Sequence, residues 1–74
     1  MFEDGEIIKI KDNVFMNQES GKEINISGLK AKVVWANPTF SKIRFLNRKI
    51  YSRDEEGNIR RDLWFSNQMI EKNV

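Results

Sequence analysis

The chain has 74 residues, 39% of them hydrophobic, with 13 Lys and Arg set against 11 Asp and Glu for a net charge of +2. That length bounds it to one domain, residues 1–74, near the lower end of what folds without covalent or metal staples. The sequence holds no Cys and no His, which removes disulfides, thiolate metal sites and the commonest general base. No run approaches the length of a membrane span. The opening Met1-Phe2-Glu3-Asp4-Gly5-Glu6 is acidic where a signal peptide would be basic and then apolar. The expectation is a soluble, cytoplasmic protein with no membrane association.

The β signal dominates along the chain. Residues 6–11 alternate as a half-buried strand, with Ile8 and Ile10 on one face and Lys9 and Lys11 on the other. A polar loop of low periodicity follows over 12–21, in which Phe15 and Met16 are apolar anchors to the core. Residues 23–27 alternate briefly, with Ile24 and Ile26 inward. After Gly28 comes the clearest strand, 29–36, with Leu29, Ala31, Val33 and Trp35 on one face and Lys30, Lys32 and Val34 on the other. Asn37-Pro38-Thr39 is a turn signal, because Asn before Pro favours turn initiation and Pro cannot donate to a ladder.

Residues 40–53 read as one long strand or two bent ones. Ile43 and Phe45 point one way, Lys42 and Arg44 the other, and the phase slips at Leu46-Asn47 as a bulge or turn would make it. Residues 54–58 form a hairpin loop in which Gly57 takes a positive φ. The return strand, 58–66, places Ile59, Arg61, Leu63 and Phe65 on one side and Arg60, Asp62 and Trp64 on the other. Ser66 caps a short helical turn over 67–72, from which Met69 and Ile70 tuck back. The expected core is Ile8, Ile10, Ala31, Val33, Trp35, Ile43, Phe45, Leu63 and Phe65.

Charge is unevenly spread. Residues 1–23 carry six acids and three lysines, whereas residues 24–74 carry ten cations and five acids. The densest basic stretch is the C-terminal hairpin, where Lys42, Arg44, Arg48, Lys49, Arg53, Arg60 and Arg61 flank the acidic tip Asp54-Glu55-Glu56. Cations gathered on one sheet face repel one another unless acids or a polyanion neutralise them, and the planar arginine fork suits phosphate. Tyr51 and Trp64 add a stacking surface of the kind that single-stranded nucleic-acid binders use. The competing account is that Asp54, Glu55, Glu56 and Asp62 pair with the arginines to solubilise a hairpin whose aromatics cover one end of the fold.

Catalysis finds no support. The three tip carboxylates are adjacent and exposed, where burial cannot raise a pKa. The serines lack a His to activate them, and Gly5, Gly21, Gly28 and Gly57 are too dispersed for a phosphate-cradling loop. No enzyme, metal, cofactor or small-molecule substrate is expected.

The segments Gly5-Glu6-Ile7-Ile8-Lys9-Ile10-Lys11, Gly28-Leu29-Lys30-Ala31-Lys32-Val33-Val34 and Leu63-Trp64-Phe65-Ser66-Asn67-Gln68-Met69-Ile70 together resemble those of the SH3-like barrels, and within them KOW and Tudor-type modules. The KOW pattern has a second Gly where this chain has Ala31. The resemblance implies a mainly β fold, a small five-stranded bent barrel with a short C-terminal helical turn. The Ile/Lys/Asn-rich composition also resembles that of small early bacteriophage proteins. Two functions follow as expectations. The first is a non-enzymatic, regulatory module that binds nucleic acid, RNA or another single strand, through Lys42, Arg44, Arg48, Lys49, Arg53, Arg60, Arg61, Tyr51 and Trp64. The second is a protein-binding inhibitor or adaptor against an acidic partner, such as a phage-type antagonist of a host enzyme or toxin.

Overall fold

The computed structural model describes residues 1–18 and 20–73, so Glu19 of the expected first loop lies outside the described residues. Nine strands occur among them: β1 (Ile7–Ile10), β2 (Phe15–Asn17), β3 (Glu23–Asn25), β4 (Lys30–Ala36), β5 (Phe40–Phe45), β6 (Ser52–Arg53), β7 (Ile59–Arg60), β8 (Asp62–Ser66) and β9 (Ile70–Lys72). Five of them form one antiparallel sheet in the order β8-β5-β4-β1-β9. The pairs β2–β3 and β6–β7 are separate two-stranded hairpins inserted between its strands. The fold is thus mainly β, with one 3-10 turn, Asn67–Met69, near the C-terminus. No helix among the described residues is long and apolar enough to cross a membrane.

The expected barrel does not close. Strands β8 and β9 are the two edges of the sheet, and no ladder joins them. They are nevertheless separated only by the three residues of the 3-10 turn, which span about 6 Å at 2 Å per residue. The sheet must therefore curl enough to bring the end of β8 close to the start of β9, which is the bend expected without the closure.

Alternation places the core on the inner face of that curl. Ile8, Ile10, Ala31, Val33, Ile43 and Phe45 are buried there, together with Ile26, Ile50 and Ile70. Leu63 and Phe65 are half-buried and pack against this cluster, Phe65 meeting Phe45 edge-on at 5.9 Å. The turns follow their sequence signals. Gly28 (φ 79°) lets the chain reverse into β4, its N–H donating to the Ile10 carbonyl at 2.8 Å. Asn37 closes the β4–β5 turn by accepting from the Thr39 and Phe40 amides at 2.8 and 2.7 Å.

Several expectations are corrected. Trp35 is not in the core but 45% exposed. Val33 stands opposite Ile43 while Trp35 stands opposite Lys42, so Val34 is an extra residue in β4. This bulge turns every later side chain to the other face. The 12–21 loop contains β2, and of its apolar pair only Met16 packs inward whereas Phe15 is exposed. The strand expected over 58–66 breaks at Arg61, and Ile59 lies outside. The helical turn expected over 67–72 ends at Met69, because Ile70 pairs with Ile10 and Glu71 with Lys9 as a fifth strand. Ile70 tucks inward and Met69 does not.

Candidate functional site

The outer face of β4, β5 and β8 carries the unusual chemistry. On β5, Phe40, Lys42 and Arg44 alternate with the buried Ser41, Ile43 and Phe45. Lys42 lies between Trp35 of β4 and Trp64 of β8 as the directly paired residue of both. The two indoles meet edge-to-face, with ring centroids 5.5 Å apart and planes at 76°. The Lys42 ammonium sits 4.9 Å from the centre of the Trp64 ring, within the range of a cation–π contact. Trp64 is 56% exposed. The bulge at Val34 is what builds this pair, since regular alternation would have buried Trp35.

One step along the sheet, Lys32, Arg44 and Asp62 form a row across β4, β5 and β8. Arg44 donates its Nε–H to Asp62 Oδ1 at 2.6 Å. That bond, with the attraction of the guanidinium, holds the Asp62 carboxyl below its ordinary range against the opposing effect of partial burial. It likewise raises the pKa of Arg44. At the hairpin tip, Asp54 accepts from the Asn58 and Glu56 amides at 2.9 and 3.0 Å. Its carboxyl is lowered first by the Asn58 amide, with a smaller effect from Arg60, whose Nε lies 3.7 Å away.

The sequence grouped its nine candidate residues on one surface; the structure distributes them. Lys42, Arg60 and Trp64 share a depression of about 400 Å³ with Ser52, Asp62 and Leu63. Arg44, Arg48 and Arg61 line a second, of about 200 Å³, with Lys32, Phe45 and Leu46. Lys49 and Tyr51 line a third with Gln18 and Ser20, and Tyr51 is covered by the Arg53 guanidinium at 5.6 Å. Arg53 also donates to the Gly57 carbonyl at 2.8 Å. Tyr51 and Trp64 thus line different depressions. The pairing that the competing account requires is found at two arginines, where Asp62 pairs with Arg44 and Asp54 approaches Arg60. Trp35 and Lys32 are the residues the sequence did not assign to the site. Lys32 was legible as outward-facing, but its nearness to Arg48 and Arg61 was not.

Among the described residues no cluster of His, Cys, Asp or Glu could hold a metal ion. No protein-family model, curated protein or solved structure matches this chain.

Proposed function

We propose that this protein is a small, non-enzymatic, cytoplasmic binding module that associates with single-stranded nucleic acid, RNA in particular, in a regulatory role. The observation that carries the reading is the exposed Trp35–Trp64 pair with Lys42 wedged against it. An indole face accepts any base and contributes about 1–3 kcal/mol per stacked base, and neighbouring cations hold the phosphates that join such bases. Arg60 shares a depression with Lys42 and Trp64, and Arg44 lies two residues from Lys42 on the same face of β5. The architecture supports an SH3-like assignment through its strand order β8-β5-β4-β1-β9 and the 3-10 turn between β8 and β9.

The alternative is a protein-binding inhibitor or adaptor, including a phage-type antagonist of a host enzyme or toxin. It draws on the same tryptophans, since Trp and Arg dominate interface hot spots, and on the internal pairing of Arg44 with Asp62. A titration with a short RNA, followed by tryptophan fluorescence over a range of salt, separates the two. Phosphate binding weakens steeply with salt through counterion release, whereas an apolar protein interface does not. Quenching that saturates and shifts with salt supports the nucleic-acid reading. No quenching, together with capture of an acidic protein that survives nuclease treatment, supports the alternative.

A further inference from the structure

The cleft of about 200 Å³ beside the tryptophan pair is lined by Lys32, Arg44, Arg48 and Arg61, together with Phe45 and Leu46. Lys32 and Arg44 stand directly opposite each other across the β4–β5 ladder, where like charges are destabilising. Asp62 neutralises Arg44 from the far side through its Nε–H. A guanidinium has five N–H donors, and the remaining four of Arg44 have no partner among the described residues. Lys32, Arg48 and Arg61 form no ion pair among them either. The carboxylates that border this region are Asp62 and, on the other side of Lys32, Asp4, so positive charge remains in excess.

The cleft is also held in shape. Arg48 sits on the 46–49 turn, which is closed by the Ile50 amide donating to the Asn47 carbonyl at 3.1 Å and the Lys49 amide to Asn47 Oδ1 at 3.0 Å. Buried Ile50 anchors the end of this turn in the core. Arg61 donates from Nη1 to the Arg48 carbonyl at 2.7 Å, which fixes the turn against the start of β8. A cleft whose backbone frame is already set loses less on binding than one that must order it.

We propose that this cleft is a phosphate subsite, holding the backbone phosphate next to the base stacked at Trp64; the choice of backbone phosphate rests on the nucleic-acid reading above. Lys42 and Arg44 lie two residues apart on one face of β5, about 7 Å along the strand. A strand whose base stacks at Trp64 therefore brings an adjoining phosphate to Arg44, Lys32 and Arg48. Arg61 acts as a positioning residue through the Arg48 carbonyl.

The test uses Lys32→Gln and Arg48→Gln, with Lys22→Gln as a control for net charge, and a short oligouridylate as probe. Each cleft variant should lower the slope of log affinity against log salt by about 0.7, the value for one phosphate contact on a single strand. Tryptophan quenching at saturation should stay as in the parent protein, the thermal melt should not fall, and Lys22→Gln should leave the slope unchanged. If the oligouridylate binds with the same slope in both cleft variants, or if Lys22→Gln lowers the slope as much, the subsite is overturned and the tryptophan reading stands. If the oligouridylate does not bind at all, the nucleic-acid reading falls. Inorganic phosphate then decides the cleft: perturbation of the Lys32 and Arg48 side-chain NMR resonances upholds a phosphate site, and their indifference removes it.

Discussion

Strands β4 and β5 present two surfaces made from alternate residues of the same segments. The inner one is aliphatic: Ala31, Val33 and Ile43 are fully buried, and substitution there changes how much apolar surface leaves water. The outer one carries Trp35, Lys42 and Arg44, large groups that bury little and are held by ring contacts and one ion pair. Burial energy scales with apolar area removed from water, so the inner face fixes whether the chain folds. The outer face can vary with little effect on stability and is accordingly where binding chemistry can reside. The two meet at the Val34 bulge, which moves the one aromatic of β4 from the first surface to the second.

The sharpest way to break this comparison is to truncate the same strand on each side. Ile43→Ala should cost about 2–5 kcal/mol as a fully buried large-to-small change. In a domain whose total stability is on the order of a few kcal/mol, that change should unfold most of the population. A urea melt measures it, and a variant as stable as its parent would mean that the inner face is not the core. Ser41→Ala comes next. Its buried hydroxyl donates to Asn67 Oδ1 at 2.5 Å, while Asn67 donates from Nδ2 to the Asn37 carbonyl at 2.8 Å. Removing it leaves an acceptor without its donor, at about 1–3 kcal/mol, and should loosen both the Asn37 turn and the 3-10 turn in hydrogen exchange.

How much of this was legible in the sequence depends on whether period or long-range pairing decides the point. Ile8, Ile10, Ala31, Val33, Ile43 and Phe45 lie in uninterrupted alternation and were expected where they are found. Ile26, from the brief alternation over 23–27, and Ile70, as a residue tucking back, were also expected inward and are buried, whereas Ile50 flanks a turn, where a single apolar residue has no period to report its direction. Trp35 went wrong because a bulge is an extra residue in one strand relative to its partner, and nothing in β4 alone marks it. The same holds at the site. Lys42, Arg44 and Trp64 follow from alternation, whereas the placing of Lys32 beside Arg48 and Arg61 depends on a turn packed against a distant strand.

On the outer face, Trp64→Ala should weaken the binding of a short RNA by about 1–3 kcal/mol if a base stacks there. Because the side chain is largely exposed, the melt should move much less than for Ile43→Ala. Trp35→Ala should remain folded and lose only about 0.5–1.5 kcal/mol with the edge-to-face contact. Deleting Val34 sharpens the point. Regular alternation through Val33, Trp35 and Ala36 would then keep Trp35 opposite Lys42, so the emission of Trp35 should stay that of an exposed indole. A shift to the emission of a buried one would show that something other than the bulge sets its face.

The smallest effect is electrostatic. Asp62 has its folded pKa lowered, chiefly by the hydrogen bond from Arg44, and a depressed acid stabilises the fold at pH values above its unfolded pKa, about 3.9. That contribution is present in full at neutral pH and is lost as pH falls below that value and through the lower folded one, where protonation releases Arg44. Asp54 behaves in the same direction through the Asn58 amide. Both pairs are solvent-facing, so screening keeps the contribution small. Asp62→Asn should therefore flatten the acid limb of the stability profile slightly and leave the neutral-pH melt almost unchanged. It should also free Arg44 beside Lys32, so RNA affinity at low salt should rise rather than fall. A fall would mean that Asp62 holds Arg44 in its binding geometry more than it competes with the phosphate for it.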